Sequence, residues 1–254
     1  MAHIISVINN KGGTGKTTTV LNLGAALAKK KKRVLLVDLD SQCNLSSAFG
    51  IHSNELGIGD LLIGSCSIDD VIQKNEKLSL IPSTEKLLDY EFQLNNEPGR
   101  EYMLREQLDK ISDDYDFILI DCPPSLGTLS INSMVAAKEF IVPMQAENFA
   151  FIGLDRIMLI SEKVKKRMNP GLELGGILFV KLSPRTKFSQ AVITSLSENE
   201  NFAGKLYNTY IRQDISLMES GAFNQTIFDY APKSRGAVDY LYLAKEILKN
   251  HGKK

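Results

Sequence analysis

Short apolar runs alternate along the chain with longer stretches whose apolar residues recur every three or four positions. Residues 4–8 (Ile4-Ile5-Ser6-Val7-Ile8) form the first run, and residues 33–37, 78–81, 116–120, 139–143 and 176–180 repeat the pattern. Runs this short and this apolar predict strands buried on both faces. Residues 17–29 carry Val20, Leu23 and Leu27 at helical spacing, as do residues 238–249 with Leu241, Leu243, Ala244, Ile247 and Leu248. Strands separated by helices predict an α/β fold, a mostly parallel twisted sheet with helices on both faces. The last helix is expected to pack onto that sheet's domain. No repeat, low-complexity tract or dividing linker interrupts the chain, so residues 1–254 are read as a single domain.

On such sheets ligands sit beyond the carboxyl ends of the strands. The first run leads there into Asn9-Asn10-Lys11-Gly12-Gly13-Thr14-Gly15-Lys16-Thr17-Thr18. Glycines at 12, 13 and 15 let the backbone turn tightly and turn its N–H groups toward phosphate oxygens. A helix starting near Lys16 adds its positive dipole end. Lys16 is then placed to reach the β- and γ-phosphates of ATP, and the Thr17 hydroxyl to ligate Mg2+. The strict G-x-x-x-x-G-K-T pattern is not met, because Asn10 stands at its first glycine. The loop nonetheless follows a strand, opens a helix and is matched by acidic strand ends, which makes a P-loop the expected reading.

Those acidic ends are Asp38 and Asp40 after the second run and Asp121 after the fourth. Asp121 is placed to hold Mg2+ through water, and Asp40 to hold the metal or orient the water that attacks the γ-phosphate. Asp38 is read as bracing Lys16 or the loop. Strand-end capping and turn formation are the competing roles for these aspartates. The nucleotide site is thus expected from residues 9–18, 38–44 and 121–125.

Composition narrows the field. Lysine plus arginine equals aspartate plus glutamate at 30 each, so nucleic-acid binding would need a local patch. The three cysteines (Cys43, Cys66, Cys122) are far apart and contain no C-x-x-C, which suits a reducing compartment. The three histidines (His3, His52, His251) are scattered without an H-E-x-x-H pair, and no G-x-S-x-G occurs, so neither a zinc nor a serine hydrolase is supported. No apolar run of about 18 residues and no charged leader is present. A soluble, cytoplasmic protein with no integral membrane association is expected.

Lys11, just before Gly12-Gly13, resembles the signature lysine of the deviant Walker A motif in the ParA/MinD family. Three further stretches are similar to that family's motifs in its order. They are Asp38-Leu39-Asp40-Ser41-Gln42-Cys43-Asn44, Ile118 to Ser125 with Asp121-Cys122-Pro123-Pro124, and Tyr230-Ala231-Pro232-Lys233-Ser234-Arg235-Gly236-Ala237. The last resembles the tail of chromosome- and plasmid-partitioning ParA proteins, and the likeness runs from residue 3 to about 249. Ser41, Cys43 and Thr14 depart from the usual proline, small residue and valine.

The resemblance implies an ATPase in which ATP and Mg2+ drive a sandwich homodimer, Lys11 reaching the partner subunit's nucleotide. It implies nucleotide contacts from Gly12, Gly13, Thr14, Gly15, Thr18, Asp38 and Pro123. It also implies that the dimer binds double-stranded DNA without sequence preference, collects on the nucleoid, and is released by slow hydrolysis that a ParB-like activator stimulates. DNA contacts are expected within 181–235, foremost at Arg185, Lys187 and Arg212, with Lys181, Lys233 and Arg235 as further candidates. A solvated face is the competing reading for these charges. Lys163, Lys165, Lys166 and Arg167 end an expected helix and read as structural.

A MinD-like membrane anchor is not expected, since only His251-Gly252-Lys253-Lys254 follow the last helix. Cys122 reads as a buried, inert thiol rather than a cluster ligand. A tyrosine kinase of this fold is disfavoured by a tail that ends in lysines. An ATP-gated scaffold that positions a protein cargo without DNA is the alternative function.

Overall fold

The computed structural model describes residues 1–51, 56–74, 78–147 and 150–251, with the Ala150 side chain outside that description. His52 and residues 252–254 lie outside the described residues.

Six strands build one parallel sheet in the order β3-β2-β4-β1-β5-β6. They are β1 (His3–Val7), β2 (Val34–Asp38), β3 (Leu78–Ile81), β4 (Phe117–Asp121), β5 (Glu139–Met144) and β6 (Glu173–Phe179). All six expected runs form strands. β6 begins at Glu173, three residues before the apolar run, because Glu173 and Leu174 pair with Glu139 and Phe140 of β5, and the register then steps past Gly175. β2 and β4 are buried throughout, as expected of strands covered on both faces.

The helices are α1 (Lys16–Lys29), α2 (Asn44–Ala48), α3 (Ile58–Leu62), α4 (Ile68–Val71), α5 (Leu87–Leu94), α6 (Met103–Asp109), α7 (Thr128–Ala136), α8 (Ala150–Arg167), α9 (Lys187–Glu198), α10 (Ile215–Ala222), α11 (Ile227–Tyr230) and α12 (Arg235–His251). Two apolar clusters lie on the two faces of the sheet. One gathers Ile4, Val37, Ile118, Leu129, Leu154 and Leu196 under α3 to α9. The other gathers Ile5, Val20, Leu27, Leu36, Leu119, Ala237, Leu243 and Ile247, so that α12 lies against α1 as its spacing predicted.

Parallel strands place every carboxyl end on one edge, and the pairing of Asp38 with Asp121 between β2 and β4 brings two carboxylates side by side there. β1 delivers the glycine loop beside them. That edge carries the chemistry. No helix among the described residues is long and apolar enough to cross a membrane.

Candidate functional site

The glycine loop turns through left-handed backbone at Gly13 (φ 73°) and Gly15 (φ 80°), a region a side chain rarely occupies. Gly15 sits over Val180, with 3.5 Å left for any added Cβ. Polar side chains hold the loop from several sides. Asn9 donates from Nδ2 to the Pro143 carbonyl at 2.7 Å and accepts the Lys11 N–H through Oδ1. Lys181 Nζ and Gln145 Nε2 both donate to the Gly13 carbonyl, at 3.1 and 2.9 Å. Lys16 is buried, and its ammonium reaches the Lys11 carbonyl at 3.4 Å. Thr14 donates to the same carbonyl. α1 starts at Lys16 with its first-turn N–H groups turned toward the loop, the arrangement that binds anions at helix N-termini.

Lys11 behaves differently. Its side chain is exposed and points away to an ion pair with Glu147, in the loop after β5. It does not line the cavity beside the glycine loop, whereas Gly12, Gly13, Gly15, Lys16, Thr17 and Thr18 do.

Three carboxylates gather at the ends of β2 and β4 beside that loop. Asp38 is fully buried and accepts hydrogen bonds from Ser46 N (2.9 Å), Ser46 Oγ (2.7 Å) and Asp40 N (3.1 Å). Its partners therefore belong to the 40–46 segment; the expected brace to Lys16 is not among its hydrogen bonds. Burial pushes its carboxyl up to about 6 against the opposing hydrogen bonds from Ser46 and Asp40. Asp40 is nearly buried, lines the cavity and accepts the Gln42 N–H at 3.0 Å, a local turn bond that leaves its second oxygen available.

Asp121 is the exceptional group. It is 1% exposed, yet neither carboxylate oxygen completes a hydrogen bond. Burial and then the adjacent Asp38 raise its carboxyl well above the usual range, opposed by the nearby Thr17 hydroxyl and Lys16 ammonium. A buried carboxyl whose oxygens complete no hydrogen bond, beside a threonine hydroxyl, fits a divalent cation that would favour its charged form and satisfy both groups. Oxygen ligands of this kind suit Mg2+. Pro123 is buried behind the strand end, and Pro124 lines the cavity. Cys122 is fully buried with Sγ near Ser133 Oγ (3.0 Å) and Ser6 Oγ (3.2 Å), and burial pushes its thiol up to about 11. That is the inert thiol expected.

The cavity, about 700 Å3, extends well past the loop. Its far wall is Val180, Lys181, Ile211, Arg212, Gln213, Asp214, Leu217 and Met218, a mixed apolar and polar surface that no motif in the sequence revealed. Leu182 pairs with Arg212 as an isolated parallel bridge, which joins the end of β6 to this segment. α12 fixes the wall from behind. Asp239 grips Arg212 through Nε and Nη2, the shorter bond 2.6 Å, and also accepts the Arg212 N–H. Gly236 N–H donates to Asp214 Oδ2 at 2.7 Å.

The expected DNA-contact residues thus separate. Arg212 has its guanidinium committed to Asp239 and lines the cavity, and Lys181 is bonded to the glycine loop. Arg185 and Lys187 stand exposed at the start of α9, as do Lys233 and Arg235 at the start of α12. Lys165, Lys166 and Arg167 occupy the last turn of α8, where cations suit the helix dipole.

The chain matches the AAA domain family over residues 2–174. It is 39% identical to the sporulation initiation inhibitor protein Soj of Bacillus subtilis (strain 168), covering 98% of this chain and 100% of that protein. It is 38% identical to the chromosome-partitioning ATPase Soj of Treponema pallidum (strain Nichols), covering 100% of both. Among solved structures it resembles cobyrinic acid a,c-diamide synthase from Mycobacterium smegmatis with bound ATP analog and magnesium. There the TM-score is 0.88 at 31% identity, over 99% of this chain and 96% of that one.

Proposed function

The chain belongs to the ParA/MinD family of P-loop ATPases, and from that premise we propose that it is an ATP-driven switch for DNA partitioning. ATP and Mg2+ are its cofactors, in keeping with the ligands of the Mycobacterium structure. The observation that carries this reading is Asp121, a buried carboxylate without a donor beside Lys16 and Thr17. The N–H groups of residues 12–18 hold the phosphates, with Lys16 against the outer two. The Thr17 hydroxyl, Asp121 and the free oxygen of Asp40 hold the metal, which screens phosphate charge when bound. Asp40 orients the attacking water, Asp38 holds the 40–46 segment in place, and Pro123 shapes the strand end behind them. Val180, Ile211, Leu217 and Met218 offer an apolar wall for the base.

The outward course of Lys11 supports a site completed across a dimer. On meeting a second subunit its ammonium exchanges Glu147 for phosphate charge there, as cations supplied in trans do in phosphoryl transfer. The exposed Arg185 and Lys187 support nonspecific contact with duplex DNA. Lys187 opens α9 at the end where a cation is unfavourable for the helix, so its placement is better explained by a phosphate partner than by helix stability. Release then follows slow hydrolysis, stimulated by a ParB-like partner, and the protein works in the cytoplasm on the nucleoid.

Fluorescence anisotropy with an unrelated labelled duplex tests the reading. Wild-type protein with ATP and Mg2+ should bind and then release as ATP is consumed. Asp40→Ala should stay bound, and Arg185→Glu should bind at least about tenfold more weakly with its basal ATPase intact. No ATP-dependent binding at low salt would sink the DNA reading and favour the scaffold that positions a protein cargo.

A further inference from the structure

At the opposite edge of the sheet, at the far ends of the elements that carry the nucleotide site, three side chains converge. His3 starts β1, Glu139 starts β5, and His251 ends α12. His251 Nε2 lies 3.1 Å and His3 Nε2 3.3 Å from the same oxygen, Glu139 Oε1. The three ligand atoms all fall within 4.8 Å of one another, and all three residues are largely but not wholly buried. The imidazoles face each other with centroids 3.8 Å apart.

Hydrogen bonding alone leaves this cluster unsatisfied. His251 bonds Glu139, whereas the buried His3 Nε2 approaches the same oxygen only as an ion-pair contact and completes no well-formed hydrogen bond. A carboxylate oxygen and two imidazole nitrogens at these separations match a different arrangement. Zinc ligands about 2.0–2.1 Å from the ion in a tetrahedron stand about 3.3 Å from each other. One ion between the three would give the stranded nitrogen a partner. Space for the carboxylate is also built in. A Cβ on Gly175 of β6 would fall 2.8 Å from Glu139 Cδ, and glycine there leaves it clear.

We propose that His3, Glu139 and His251 form a binding site for a borderline transition-metal ion, zinc by preference, distinct from the Mg2+ site at the nucleotide. Two imidazoles and one carboxylate select such an ion over Mg2+ or Ca2+, which take oxygen ligands. Three protein ligands leave a fourth position for water. The site's consequence is mechanical. It ties the last turn of α12 to the starts of two central strands, and the first two turns of that same helix hold Asp214 through Gly236 and Arg212 through Asp239 at the nucleotide cavity.

Cobalt(II) titration of the full chain, with Mg2+ in excess to occupy the acidic edge, tests this directly. One Co2+ per chain should bind with the visible d–d bands of a tetrahedral site and no thiolate charge-transfer band, and Zn2+ should displace it. His3→Gln and His251→Gln should each weaken binding by at least about tenfold. Zn2+ should raise the melting midpoint of the wild type by a few degrees and leave the double variant unmoved. His251 lies in the last turn of α12, beyond the buried residues that seat the helix, so its variant keeps the fold; unchanged ATP affinity checks this. Absence of d–d bands at saturating Co2+, a thiolate band, or binding that survives the double variant would each overturn the proposal.

Discussion

Asp121 shows how one residue can carry a conflict that only a ligand resolves. Its carboxyl is buried, has no donor, and sits next to Asp38 on the neighbouring strand. In both groups burial raises the folded-state pKa above the ordinary carboxylate value, Asp38 to about 6 and Asp121 well up. The folded protein therefore holds these protons more tightly than the unfolded chain. Their contribution to the stability of the nucleotide-free protein then falls as pH rises from about 4 through 6 and beyond. Asp121→Asn removes the ionisable group while keeping its shape and an oxygen toward Thr17. We expect its urea midpoint at pH 7 to exceed the wild type's and the fall with pH to shrink, while Mg2+-dependent ATP binding is lost. A variant less stable than wild type at pH 7 would mean that the strain is absent. Sequence disclosed the position of this carboxylate at the end of β4, and the metal role expected of it is a proposal drawn from that position beside a P-loop. It could not disclose that Asp38 is supplied with donors by Ser46 and Asp40 while the oxygens of Asp121 complete no hydrogen bond, because that depends on side-chain placement across the strand ends.

At the scale of elements, periodicity located all six strands, and what it missed has physical reasons. α2 to α4 are four or five residues long, too short for a 3.6-residue pattern to register. The entry of β6 is masked by Gly175 and Gly176, which are there to admit Glu139 and the Tyr207 ring. The far wall of the cavity is built from the end of β6, the 211–214 segment and α10, brought together by long-range packing that no local motif encodes. His3 and His251 read as scattered for the same reason. α12 shows the two sides together. Its apolar stripe was legible, whereas its grip on Arg212 was not. Arg212→Glu should consequently lower the melting midpoint and weaken ATP binding, since it leaves Asp239 facing a like charge. Arg185→Glu should change neither. Comparison of thermal melts and nucleotide affinities for the two variants decides whether Arg212 is a strut of the pocket or a second DNA contact; an Arg212→Glu protein with normal melting and ATP binding would restore it to the DNA surface.

For the molecule as a whole the governing fact is a net charge of zero, with 30 basic and 30 acidic residues. Global attraction cannot hold such a protein on DNA, and a patch of a few cations per subunit binds weakly at physiological salt. Dimerisation changes this without adding any contact type. Two copies of the Arg185–Lys187 patch on one rigid body double the phosphates neutralised, and the second engagement is intramolecular. On the proposed reading the nucleotide would control DNA affinity through Lys11, because the lysine that would close the dimer is the one now paired with Glu147. Counterion release makes this measurable, because the slope of log K against log salt scales with about 0.9 per phosphate contacted. With ATP bound, the Asp40→Ala protein should show roughly twice the slope of Lys11→Ala, whose subunits still bind ATP but stay monomeric by light scattering. Equal slopes for the two proteins would mean that a single subunit makes every DNA contact, and the switch would then have to lie in a change of shape within one chain.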